Sequence, residues 1–124
     1  MLRVLVIGLD PYRVPGPWDP EPVALAIEHA TARFAEDGYS VSNCLVGLDG
    51  SDDIPAVVRH AIDQGGPWDC VLVGGGIRHN EELVVLFETI INLVHELAPE
   101  ARIAFNHSPN EINEAVVRVL RQLL

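Results

Sequence analysis

The chain has 124 residues, the size of one ordinary domain with no room for a second. Hydrophobic residues make up 48% and charged residues 21%, which supports a packed core and excludes a disordered chain. Eighteen acids against eight bases leave a formal charge of −10, which repels nucleic-acid phosphates and anionic lipid and argues against both as partners.

Residues 3–9, Arg-Val-Leu-Val-Ile-Gly-Leu, are almost continuously apolar and predict a central parallel strand covered on both faces. The run is broken by Arg3 and closed by Asp10, too short for a membrane span or a signal-peptide core, so the expected compartment is the cytoplasm. A proline-rich loop covers 10–20. Asp19 is the expected N-cap of the first helix, with Pro20 in its first position. Val23, Ala26, Ile27, Ala30 and Phe34 share one face of that helix, and Gly38 stops it.

Residues 39–46 predict a second strand, and Ser40, Ser42 and Asn43 place it at a sheet edge. Ser51-Asp52-Asp53 starts the second helix, where Pro55 falls in the tolerant first turn. Ile54, Val57, Val58, Ala61 and Ile62 form its stripe, and Gly65-Gly66-Pro67 ends it. A third strand over 68–73 runs into Gly74-Gly75-Gly76. The third helix is expected over 80–98, with Leu83, Leu86, Phe87, Ile90, Val94 and Leu97 as its stripe. Val84, Val85, Ile91 and Leu93 widen that stripe beyond one face. A fourth strand over 102–106 is followed by Ser108-Pro109-Asn110-Glu111, which reads as a capping box. Ile112, Ala115, Val116, Val119, Leu120 and Leu123 then mark the fourth helix. Cys44 and Cys70 fall inside strands with no second cysteine in C-x-x-C spacing, and are expected as buried reduced thiols.

Strict alternation of strand and helix predicts an α/β three-layer sandwich with a parallel sheet and right-handed crossovers. The two most apolar strands, first and third, belong in the centre. That favours the order 2-1-3-4 in a flavodoxin-like winding, with helices one and four on one face and two and three on the other. The order 3-2-1-4 is the alternative, and it buries the polar second strand.

In such sheets a ligand sits outside the carboxyl ends of the strands, where the winding reverses. Loops bring Asp10, Arg13, Asp49, Arg78, His79, Asn80, Asn106, His107 and Ser108 to that rim. Gly74, Gly75 and Gly76 leave backbone N–H groups bare and are expected to cradle a phosphate or carboxylate, with Arg78 as counter-charge and Arg13 and Asn106 beside it. The alternative is a plain turn into a helix whose first residues, Glu81 and Glu82, complement the helix dipole. A dinucleotide fingerprint does not fit: it needs glycine where His79 stands and belongs after the first strand. His79 and His107 follow neighbouring strands, and with Asp10 they are the candidates for acid/base chemistry. The same residues also suggest a metal pair, but two loop histidines are more often solvated or hydrogen-bonded at a helix start, so neither metal nor cofactor is expected. His29, His60 and His95 lie within helices and are expected to face solvent. Residues 49–53 read as a turn and a helix cap, since calcium-loop spacing and its closing glutamate are missing. No G-x-S-x-G elbow and no cysteine at the rim supplies a nucleophile.

The winding resembles that of two-component receiver domains, but Asp10 has no acidic neighbour and strand three ends in glycines rather than a phosphoacceptor Asp. It also resembles flavodoxins, whose hydroxyl-rich phosphate loop is replaced here by Asp10-Pro11-Tyr12-Arg13-Val14-Pro15-Gly16. The segments 6–11, 73–78, 86–88 and 103–106 together resemble a group of small bacterial cytosolic proteins to which no activity attaches. Two functions therefore stand as expectations. One is a site for a small anionic molecule at the carboxyl rim. The other is a non-enzymatic module that self-associates as a homodimer through Val84, Val85 and Leu93 of the third helix.

Overall fold

The structure, a computed structural model, describes residues 1–121. Four strands form one parallel sheet: β1 (Arg3–Leu9), β2 (Ser40–Val46), β3 (Cys70–Val73) and β4 (Arg102–Phe105), in the order β2-β1-β3-β4. Helices α1 (Glu21–Glu36), α2 (Ile54–Gly65), α4 (Val84–Leu97) and α5 (Ile112–Arg121) cover its two faces, and a single helical turn, α3 (Gly75–Arg78), follows β3. This is the three-layer α/β architecture, with the apolar strands β1 and β3 at its centre.

Alternation along the strands divides the core in two. Leu5 and Ile7 of β1 and Val71 and Val73 of β3 meet Val58 and Ile62 of α2 and Ile90, Leu93 and Val94 of α4. Val4, Val6, Cys70 and Leu72 meet Ala30 and Phe34 of α1 and Ile112, Ala115, Val116 and Leu120 of α5. Register is direct, with Val4 beside Val41 on one side and beside Cys70 on the other. Asn113, buried on α5, donates from Nδ2 to the Ala30 carbonyl at 3.0 Å and ties the two helices of that face together. Burial pushes up the Cys44 thiol and takes that of Cys70 up to about 12, so both cysteines sit as small apolar side chains.

Several boundaries differ from expectation for identifiable reasons. The first helix begins at Glu21, one residue later than expected, and Asp19 still accepts from the Glu21 N–H at 3.0 Å. Trp68 precedes β3 rather than opening it. Its indole is buried and donates to the Ile62 carbonyl at 2.9 Å. The third predicted helix is shorter. Asn80 accepts from the Glu82 N–H and starts a 3-10 turn over Glu81–Leu83, and regular helix begins only at Val84. The capping box does not form. Ser108 makes no side-chain cap to the 3-10 turn Pro109–Glu111, and Glu111 instead pairs with Arg118 at 3.0 Å. Leu93, expected on an outer surface, is only 7% exposed and packs in the core, whereas Val84 and Val85 are 58% and 71% exposed. A helix over a small sheet buries more of its circumference than its sequence stripe suggests. Leu123 lies outside the described residues.

No helix of the described residues is long and apolar enough to cross a membrane.

Candidate functional site

The loop from Asp10 to Pro20 forms a hood over the carboxyl end of β1. Asp10 caps a 3-10 turn, Pro11–Arg13, by accepting from the Tyr12 N–H at 3.0 Å. Arg13 then anchors the hood to the β2 side. Its Nε donates to Asp10 Oδ2 at 2.9 Å, its Nη1 to Asp52 Oδ2 at 2.7 Å and its Nη2 to the Leu45 carbonyl at 3.1 Å. The far half of the hood carries Trp18, whose indole lies against Gly16. That glycine has a φ of +142°, and a Cβ there would stand 2.7 Å from the ring. Both the backbone and the indole therefore require glycine at this position.

Asp52 is the centre of this anchor, since it also accepts from the Gly47 N–H at 2.8 Å. That hydrogen bond, and then Arg13, hold its carboxyl below the ordinary aspartate value. A carboxylate with a depressed folded pKa stabilises the native state above its unfolded value and loses that contribution as pH falls through the folded one. Asp52→Asn is therefore expected to melt below the wild type at pH 6, with the gap closing as pH falls below about 4. Thermal melts of both proteins across that range check this, and a gap independent of pH would rule out the ionised form as the source of stability.

The triple-glycine corner differs from the expected anion loop. None of the three glycines has a positive φ, and Gly75 and Gly76 lie in the α3 turn. Space explains them instead. A Cβ on Gly75 would meet the Asn106 carbonyl oxygen at 3.2 Å, and one on Gly76 would meet Leu9 at 3.3 Å. Two of the N–H groups expected for an anion are used internally. Gly74 donates to the Ile7 carbonyl at 2.8 Å and Gly75 to Asn106 Oδ1 at 3.2 Å. Asn106 is buried, and its Nδ2 also donates to the Ser108 carbonyl at 2.7 Å, so one amide joins α3 to the β4–α5 loop.

Arg78 turns away from the glycines. Its guanidinium lies over the Phe105 ring, 5.7 Å from the centroid, and Nη2 donates to the Asn106 carbonyl at 3.0 Å. Nη2 also lies 3.0 Å from His79 Nε2. Arginine has no acceptor, so His79 Nε2 accepts and the imidazole proton is assigned to Nδ1.

Between the hood, the start of α1 and the β4–α5 loop lies a cleft of about 420 Å³. Its walls are Val6, Leu9, Val14, Trp18, Val23, Ile27, Leu72 and Ile112, and its floor is formed by Gly74, Gly75 and Gly76. Asp19, His79, Asn106, His107 and Ser108 are the polar residues of its lining. The cleft lies outside the ends of β1 and β3, where the winding reverses. The structure thus brings His79, His107, Asn106 and the three glycines to one place. It does not bring Asp10, Arg13, Asp49 or Asn80 there. Arg13 and Asp10 are held in the hood anchor, Asp49 accepts from the Ser51 N–H, and Asn80 caps the turn before α4. Among the described residues no three of His, Cys, Asp or Glu gather as metal ligands, while Asp53 caps α2. His29, His60 and His95 are exposed on their helices.

Sequence reasoning missed Trp18, Val14 and Asp19 as lining residues. A tryptophan between Pro17 and Pro20, with Gly16 before them, was the available signal, because a large apolar ring in a stiff loop needs something to cover. A second cleft of about 400 Å³ lies between the later turns of α1 and α5. Two of its arginines already face acids, Arg33 with Glu114 at 2.7 Å and Arg118 with Glu111 at 3.0 Å.

Fold and cleft together define the class: a parallel α/β domain with one apolar cleft at its topological switch point. Comparison with known proteins gives no matching family model and no matching curated protein, so the cleft's own chemistry is the basis for function.

Proposed function

We propose that this domain binds a small molecule in the carboxyl-edge cleft, with a flat apolar body against Trp18, Val14 and Ile27 and a polar head toward His79, His107 and Ser108. The carrying observation is the cleft itself. Its volume of about 420 Å³ is that of a small-ligand site, and its wall is mostly apolar with a few convergent polar groups. Its position at the switch point supports the same reading. An anionic head is the expectation from the glycine corner, but the Gly74 and Gly75 N–H groups are used internally and Arg78 stands behind His79 rather than in the cleft wall, so the head is taken only as polar. Self-association through α4 is the weaker reading, because Val84 and Val85 alone cover far less than the roughly 800 Å² per partner of a stable interface.

Thermal-shift and calorimetric titrations with planar one- and two-ring compounds, with and without acidic heads, test the proposal. At a hundred times the dissociation constant, a ligand stabilises by about 2.7 kcal/mol. Trp18→Ala is expected to weaken binding about tenfold or more by removing the stacking face. No stabilisation by any compound of that set overturns the reading.

A further inference from the structure

We infer that the cleft selects by charge and takes an organic cation, an apolar ring system with an ammonium or similar positive head, drawn by Asp19 beside the Trp18 ring. The inference rests on the cleft being a ligand site, and it adds the sign of the head.

The first observation is where the cations lie. The chain has eight arginines and no lysine, and none of the eight lines the cleft. Arg13, in the hood, faces two carboxylates, Asp10 and Asp52, so the anchor carries a net negative charge. Arg78 is turned to the other face of the sheet. Its guanidinium lies over Phe105, whose ring meets Phe87 in the core half formed with α2 and α4. Val6, Leu72 and Ile112 of the cleft wall belong to the opposite half, formed with α1 and α5. Among the described residues Asp19 is the only charged member of the lining, in a chain whose formal charge is −10.

The second observation is that the groups able to hold an anion are already used. The Gly74 and Gly75 N–H groups are bonded to the Ile7 carbonyl and to Asn106. At the start of α1, Pro20 and Pro22 have no N–H, and the Glu21 N–H is taken by Asp19 Oδ1. Neither the glycine turn nor that helix start offers the row of free donors by which such features bind anions.

A cation meets the reverse. Trp18 lines the cleft and is 61% exposed, and an indole face attracts positive charge. Asp19 follows it in the chain, between Trp18 and Pro20. The cleft's volume of about 420 Å³ corresponds to a sphere about 9 Å across, comparable to the Debye length at physiological salt. A charge anywhere inside therefore feels Asp19, whichever way that side chain turns. At the polar end the Ser108 hydroxyl makes no helix cap and can accept from an ammonium N–H.

The experiment titrates the full chain by calorimetry with three probes on one ring system: 2-naphthylmethylammonium, 2-naphthylmethanol and 2-naphthoate. The ammonium is expected to bind about fivefold tighter than the alcohol, and naphthoate about fivefold weaker than the alcohol. Asp19→Asn keeps an acceptor for the Glu21 N–H and removes the charge. It should bring the ammonium to within about twofold of the alcohol and leave the alcohol unchanged. Asp63→Asn, an equal loss of charge on α2 away from the cleft, should leave the preference in place. Raising salt should also narrow the gap between the charged probes and the alcohol in the wild type, a reading that needs no variant to fold. Equal affinities, or naphthoate as the tightest probe, overturn the charge selection while leaving the cleft as a binding site. A preference for the ammonium that Asp63→Asn lowers as much as Asp19→Asn overturns the assignment to Asp19. Binding of none of the three, together with no response across the wider compound set, removes the binding reading and this inference with it.

Discussion

Asn106→Ala is expected to lower the melting temperature by about 10 °C, one of the two largest effects of any single truncation near the cleft or in the core. Asn106 is 4% exposed and its amide satisfies two backbone groups, the Gly75 N–H and the Ser108 carbonyl. Alanine leaves both without their partner. A buried unsatisfied polar group costs about 1–3 kcal/mol and these two are only part-buried, so the pair lies in the lower part of the summed range, about 2–4 kcal/mol, and a domain of this size shifts by about 3–4 °C per kcal/mol. Asn106→Asp keeps the acceptor for Gly75 but sets an oxygen against the Ser108 carbonyl, so it should rescue little. Calorimetric melting of the three proteins checks this, and a shift under about 3 °C for the alanine variant would show that water replaces the amide readily.

The second large effect is expected at the other end of the same face. Phe34 is 1% exposed between α1 and the sheet, and its ring meets Tyr39 edge-on with centroids 5.5 Å apart. Phe34→Ala should cost about 3–5 kcal/mol through lost burial and the cavity left behind. That is a large fraction of the roughly 5–15 kcal/mol by which domains are stable. Phe34 does not line the carboxyl-edge cleft, so the folded fraction should bind cleft ligands with wild-type affinity. Chemical denaturation gives the stability loss and titration gives the affinity. A variant that keeps its stability but loses binding would contradict the placement of Phe34 altogether.

The fold was legible because its signals are periodic and long-range. Continuous apolar runs at β1 and β3 mark strands covered on both faces, while Ser40, Ser42 and Asn43 mark the wet edge, and strand order follows from that contrast. The cleft was legible only in position. Parallel strands fix where the loops after β1, β3 and β4 converge, so His79, His107, Asn106 and the glycines could be named together. What the loops do there depends on side-chain choices among several partners, which spacing does not encode. Arg13 finds two acids, Asp10 and Asp52, at the hood anchor, and is spent there. Arg78 finds a carbonyl and the Phe105 ring, and so stands one group back from the cleft. Three glycines in a row point to bare N–H groups for an anion, but a helical turn and crowding against Leu9 and Asn106 account for two of them. Leu93 shows the same limit on α4, where apolarity alone does not say which residue of a wide stripe remains outside.

The two halves of the hood are held very differently. The near half is fastened by charged bonds from Arg13 at 2.7 and 2.9 Å, whereas in the far half Trp18, 61% exposed, makes a single side-chain hydrogen bond of 3.4 Å to the Val14 carbonyl. Local opening draws on the least protected contacts first, so the Trp18 side is expected to yield before the Arg13 side. On the proposed ligand-binding reading, a molecule would enter past Trp18 while the sheet and its four packed helices stay intact. Ligand exchange would in this way be separated from unfolding.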